Sequence, residues 1–139
     1  MARNFTETIE NGLFVESLSL QRSLAVSTVV AFGDSITNGV GSDTDADNRY
    51  PDYLAERYLA LPPAQRKGVA NEGISGNRVT RTGAGQAAVT RLQRDALEQP
   101  GVETVILLEG INDLNTGVTA DQVIRGYRDL IGQAHADGT

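Results

Sequence analysis

The sequence predicts an α/β fold, a three-layer arrangement of a parallel sheet with flanking helices. Two observations predict it. Apolar runs of strand length, Thr28–Phe32, Gly68–Asn71 and Thr104–Leu108, alternate with segments of helical periodicity. Each run also breaks abruptly into a loop of glycine and small polar residues: Gly33-Asp34-Ser35, then Gly73-Ile74-Ser75-Gly76, then Gly110-Ile111-Asn112-Asp113. Strand, helix, strand, helix, strand, helix is the order of right-handed crossovers. A sheet built that way brings the carboxyl ends of its strands to one edge, where ligands bind in open α/β sheets.

Taken in order, residues 1–26 read as an N-terminal extension ahead of a domain at 27–139. A strand over Leu13–Leu20 is conceivable, but the run has no clean inside face. Val29-Val30-Ala31-Phe32 is apolar without alternation, as in a strand buried on both faces. The loop Asn38–Asn48 follows. Its Asp43, Asp45 and Asp47 are spaced like the opening of a calcium loop, but Asn48 stands where a glycine belongs and Leu54 where the last acid belongs. The expectation is a solvated acidic loop with no metal.

A helix is predicted over Tyr50–Leu61, with Pro51 in its first turn and Pro62-Pro63 as its stop. Tyr53, Leu54, Arg57, Tyr58 and Leu61 share one helical face, and both tyrosines are expected to pack. After the second strand, 78–85 reads as a loop. Its Gly83-Ala84-Gly85 has the look of a dinucleotide-binding turn, but no strand leads into it. A second helix is predicted over Gln86–Gln99 with Val89, Leu92, Ala96 and Leu97 inward, ended by Pro100-Gly101. Thr119 and Gln122 form a capping box for a third helix, whose apolar face is Val123, Ile124, Tyr127, Leu130 and Ile131.

The 139 residues suffice for one domain with a single core. A net charge of −6 argues against nucleic acid or an anionic membrane surface as a main partner, because both need a basic footprint. The absence of cysteine excludes disulfides and thiolate chemistry from these residues. No apolar run has membrane-spanning length, and Met1–Glu7 has no apolar signal core. The expected location is therefore cytoplasmic, or secreted if a leader is missing. No cofactor is expected.

Chemistry is expected at the shared strand edge. Ser35 sits where a strand-to-helix turn exposes a hydroxyl, a geometry suited to a nucleophile, although Asp34 or Ser35 could equally serve as a helix cap. Acyl transfer also needs donors for a developing oxyanion. The Ser35 N–H, an unobstructed N–H at Gly76 and the amide of Asn112 can supply them.

These three blocks resemble those of the SGNH (GDSL-type) hydrolases, esterases and lipases on a flavodoxin-like fold. Gly33-Asp34-Ser35-Ile36 is similar to the first block, Asn71 through Gly76 to the second, and Gly110-Ile111-Asn112-Asp113 to the third. The resemblance covers about 29–139. It implies Ser35 as nucleophile, Gly76 and Asn112 as completing the oxyanion hole, and Asp34 and Asp113 as supports of loop geometry. The first two blocks look most like a bacterial branch that includes carbohydrate esterases such as acetylxylan esterase-like enzymes, which points to a small ester, or an acetylated carbohydrate, as the substrate.

One departure accompanies the match. The family's last block, Asp-x-x-His, supplies its general base, and no such pattern occurs here. The single histidine, His135, has Gly132 at the position of the acid and falls at the end of a crossover helix, where a solvated cation complements the helix dipole. Three strands are visible where the family has about five, so the fold reads as truncated after its third βα unit. Two functional readings follow, an ester hydrolase working through a Ser35 acyl-enzyme and a non-catalytic ligand- or carbohydrate-binding remnant. Exposed sheet edges lead to a further expectation, a homo-oligomer.

Overall fold

The structure, a computed structural model, describes residues 26–139. The expectation of a strand at Leu13–Leu20 lies outside them. The elements in order are β1 (Thr28–Gly33), the single turn α1 (Ser35–Asn38), α2 (Tyr50–Leu59), a 3-10 turn (Pro63–Gln65), β2 (Gly68–Gly73), α3 (Ala88–Leu92) running on into a π turn (Gln93–Leu97), β3 (Val102–Leu108), α4 (Ile111–Asn115) and α5 (Ala120–Asp137). The three expected βα units are present, and the strands form one parallel sheet in the order β2-β1-β3.

The central place of β1 explains its composition. Val29, Val30, Ala31 and Phe32 are all buried, so both faces of the strand are apolar. Alternation sends Val30 and Phe32 to one face, where they join Leu92, Ala96, Val123 and Leu130 in the core formed with α3 and α5. Leu92, Ala96 and Leu97 are inward as expected, with Val89 partly buried against the same cluster.

Several boundaries differ from the sequence expectation. β3 begins at Val102, because Glu103 forms a bulge between the rungs Thr28–Val102 and Val29–Thr104. Glu103 interrupts the apolar run, and instead of packing it accepts a hydrogen bond from Lys67 Nζ at 2.6 Å. α2 ends at Leu59 rather than Leu61. Of the two tyrosines expected to pack, Tyr58 is half-buried and Tyr53 is 51% exposed, while Tyr50 places its hydroxyl 3.2 Å from Thr37 Oγ1. On α5 only Val123 and Leu130 are buried, while Ile124 and Ile131 are 44% and 50% exposed. The covered stripe is therefore narrower than the apolar one.

Two glycines set how closely the strand ends and α1 approach. A Cβ on Gly33 would lie 2.2 Å from the Leu108 carbonyl oxygen, and one on Gly73 would lie 2.2 Å from the Asn38 backbone nitrogen. Both obstacles are backbone and cannot swing aside. Gly132 on α5 has nothing within 4 Å of that position. Gly33→Ala and Gly73→Ala are each expected to cost about 1–3 kcal/mol or more through overpacking. Gly132→Ala is expected to stabilise the protein by about 0.5–1 kcal/mol through helix propensity. Urea unfolding of the three variants checks both signs.

Candidate active site

Ser35 is the first residue of α1, directly past the end of β1. The turn is held by Asp34, whose Oδ1 accepts from the Ile36 N–H at 3.0 Å, so the capping role foreseen for this pair belongs to Asp34. Ser35 is half-buried, and neither its N–H nor its Oγ is hydrogen-bonded to another described residue. A first-turn N–H has no partner within its own helix, so this donor faces outward from the helix end.

The loop after β2 is stitched to this turn at three points. Asn71 donates from Nδ2 to the Thr37 carbonyl at 2.9 Å, and its Oδ1 accepts from the Gly73 N–H at 3.0 Å. The Ile74 N–H donates to the Gly33 carbonyl at 3.0 Å, and Asn38 Nδ2 donates to Ser75 Oγ at 2.8 Å. Gly76 follows at φ +79, a left-handed conformation that favours glycine. Its N–H is likewise unused within the described residues.

The loop after β3 closes on the other two. Asn112 Nδ2 donates to the Asn77 carbonyl at 2.9 Å, which fixes the amide and leaves its second N–H available. Asp113 is fully buried and accepts from the Val79 N–H (2.7 Å), the Thr80 N–H (3.0 Å) and Thr80 Oγ1 (2.7 Å). Ser35, Gly76 and Asn112 therefore sit on three loops at one sheet edge, linked by short hydrogen-bonded connections, while Asp34 and Asp113 are tied to backbone. His135 is exposed in the last turn of α5, about 12 Å along the helix from Tyr127, whose hydroxyl bonds the Glu109 carbonyl.

The acidic loop folds onto itself. Asp43 Oδ2 accepts from Asn48 Nδ2 at 3.1 Å, and Asp45 and Asp47 lie at φ 58 and 47. Among the described residues no group of three acidic or histidine side chains is placed to hold a metal ion. Gly83 donates its N–H to the Gly85 carbonyl at 3.0 Å inside the 78–85 loop, and no strand leads into that turn.

Sequence reasoning missed two residues beneath the site. Arg91 is fully buried on α3, stacked 3.8 Å from the centre of the Phe32 ring. It donates to the Gly33 carbonyl (2.9 Å), the Glu72 carbonyl (3.0 Å), Asn77 Oδ1 (2.9 Å) and Asp95 Oδ2 (3.2 Å), and lies 3.5 Å from Glu109 Oε2. Asn77 is also buried and gives Nδ2 hydrogen bonds to the Ala84 and Gln86 carbonyls at 2.9 and 2.8 Å. Glu109 has a fully buried side chain. Burial pushes its carboxyl up to about 7; Arg91 opposes this, and Asp34 and Asp113 add to it. The signals were present in the sequence: an arginine between Ala88 and Leu92 on an apolar helix face with an acid four residues on, and a glutamate closing an apolar strand.

With this geometry in view, the chain belongs to the GDSL-like lipase/acylhydrolase family, which it matches over residues 31–139. Among solved structures it is similar to AlinE4, an SGNH-hydrolase family esterase, at 23% identity and a TM-score of 0.66, covering 85% of this chain and 56% of that one. It is also similar to a protein from Agrobacterium tumefaciens str. C58, provisionally described as an arylesterase, at 28% identity and a TM-score of 0.63, covering 78% of this chain and 54% of that one. The chain thus spans a little over half the length of these structures. No curated protein matches it.

Two outcomes follow from the buried pair. Arg91→Met is expected to cost about 3–5 kcal/mol, because it removes the guanidinium that the buried Glu109 carboxyl, the Asp95 carboxyl, the Asn77 amide oxygen and two strand-end carbonyls share. Arg91→Lys is expected to restore little, since an ammonium cannot reproduce the planar fork. Glu109 is raised in the folded protein, so its contribution is fully present below about 4.5 and lost as pH rises through about 7. Stability is expected to fall across that window by up to about 1.4 kcal/mol per pH unit from this group. Glu109→Gln should flatten that part of the curve in denaturant titrations.

Proposed function

We propose that this chain carries the nucleophile and the oxyanion donors of a serine ester hydrolase. Ser35 Oγ attacks the ester carbonyl, the alcohol departs with the proton that Ser35 loses, and water then cleaves the acyl-enzyme to release the acid. The Ser35 N–H, the Gly76 N–H and the second Nδ2–H of Asn112 receive the oxyanion. The observation that carries this reading is the Asn112 amide, held by the Asn77 carbonyl with one N–H left over, while the Ser35 and Gly76 N–H groups on the other two loops are unused among the described residues. Asp34 and Asp113 keep the loops in place and take no part in the proton transfers. The substrate class is a small acyl ester, including the O-acetyl ester of a carbohydrate.

A second reading has its own support. The chain contains no Asp-x-x-His, and its one histidine is exposed in the last turn of α5. Ser35 then works as a weakly activated hydroxyl, or the donors simply hold a ligand carbonyl. Hydrolysis of p-nitrophenyl acetate, with the acyl-enzyme followed by intact mass, separates the two. The hydrolase reading expects Ser35→Ala to fall to the uncatalysed background and Asn112→Ala to lose about 10²–10³ in kcat. Equal rates for the native chain and Ser35→Ala overturn it and leave the binding reading.

The outer side of β3 has no partner strand among the described residues. We propose that it supports self-association of this chain. Sedimentation equilibrium is expected to show dimers or larger species, and a monomer at all concentrations overturns the proposal.

A further inference from the structure

Two carboxyl oxygens beneath the site are buried and have no hydrogen-bond partner among the described residues: Asp34 Oδ2 and Glu109 Oε1. The sheet register puts their residues side by side. Gly33 is the rung partner of Leu108, and the Asp34 N–H donates to the Leu108 carbonyl at 3.3 Å, so Asp34 and Glu109 continue the same parallel ladder by one position. Neighbours on a parallel rung extend to the same face of a sheet. Both residues are buried, at 1% and 5% exposure. Two ionised carboxylates so placed repel each other, and each keeps a buried oxygen without a hydrogen-bond partner among the described residues. A single proton between them removes one charge and gives both oxygens a partner.

We propose that Glu109 is a positioning residue for Ser35: its carboxyl carries a proton on Oε1 and donates it to Asp34 Oδ2, locking the loop after β3 to the turn that holds the serine. Asp34 suits the acceptor role, because its Oδ1 is already taken by the Ile36 N–H and its Oδ2 is left over. The lock reaches Ser35 because Asp34 is the cap of the helix that Ser35 begins. The groups around the pair are Arg91 from α3, Asp113 from α4, Tyr50 from α2, which feels the Asp34 charge, and from α5 the Tyr127 hydroxyl, which donates to the Glu109 backbone carbonyl. Arg91 favours an ionised Glu109, whereas Asp34 and Asp113 favour the proton. Asp95 reaches the pair only through Arg91. The functional consequence rests on the reading of Ser35 as nucleophile, but the shared proton does not.

The test is a pH titration by NMR of the native chain, Glu109→Gln and Asp34→Asn, following the Glu109 side-chain carboxyl carbon and the Ser35 backbone amide. In the native chain both signals are expected to move together, with a midpoint near 7. Glu109→Gln, whose amide can donate to Asp34 in place of the proton, is expected to hold the Ser35 amide at its low-pH position throughout. Asp34→Asn is expected to lower the Glu109 midpoint by about one pH unit or more. A Ser35 amide that ignores the Glu109 step overturns the proposal. So does a Glu109 midpoint unmoved by Asp34→Asn, which would mean a buried water or Arg91 alone satisfies the carboxyl. Should Glu109→Gln not fold, the native titration and Asp34→Asn still decide. None of these signals depends on turnover, so a failed esterase reading and a failed shared proton remain separate results.

Discussion

The site depends on one buried cation. Arg91 has no exposed surface, and an unpaired guanidinium there would cost several kcal/mol. The protein meets that cost by spending the fork on carbonyls at the ends of β1 and β2, on the Asn77 amide and on two carboxyls. Three parallel strands ending on one edge bring their last carbonyls close together, and the Gly33 carbonyl takes the Arg91 fork in addition to the Ile74 N–H. Arg91 thereby cross-links the ends of β1 and β2. Its planarity matters, because the acceptors lie in different directions around one head group. The Phe32 ring closes one face of the guanidinium, so the most buried part of β1 also helps hold the charge.

The loops above that cross-link divide their work between adjacent residues. On the single turn α4, Asp113 points inward to two backbone N–H groups and a hydroxyl of the segment after β2, while Asn112 reaches the Asn77 carbonyl. A carboxylate suits the inward position, since it accepts several bonds at once and donors surround it. An amide suits the other, since one hydrogen can be spent on orientation and the second kept for a ligand. Asn77 joins the two layers. Its side chain bonds Arg91 and the 84–86 loop, and its carbonyl aims Asn112. Asn77 is thus one route by which a shift in the buried layer reaches the upper one, beside the Arg91 contacts to the strand ends.

Much of this was legible in the sequence. Val29–Phe32 reads as a doubly buried strand because it lacks alternation, and the Gly-Asp-Ser break marks the turn that follows. The three loops were visible because glycine and small polar residues are required where backbone approaches backbone, as the contacts of Gly33 and Gly73 demonstrate. Other features were hidden for physical reasons. Tyr53 shares a helical face with Leu54 and yet is exposed, because periodicity gives a face and not the width of what covers it. Val102 lies outside the apolar run of β3 because a bulged Glu103 breaks that run without ending the ladder. Arg91 and Glu109 are not legible in the sequence, because a charge on an apolar face reads as an interruption until its tertiary partners are known.

The distribution of partners among the buried acids accounts for which one holds a proton. Asp113 receives three donors, two of them backbone N–H groups that it shares with nothing else. Asp34 receives one N–H from the turn it caps. Among the described residues the Glu109 carboxyl has only the far edge of a guanidinium already engaged elsewhere, at 3.5 Å, the outer limit of a hydrogen bond. An attraction shared among several acceptors at that distance does not offset full desolvation, and the two neighbouring aspartates add repulsion. The cluster therefore balances its charge by neutralising the carboxyl with the fewest donors. Placing that carboxyl beside the cap of the Ser35 turn makes the same economy of hydrogen bonds that secures the sheet edge sensitive to a proton near neutral pH.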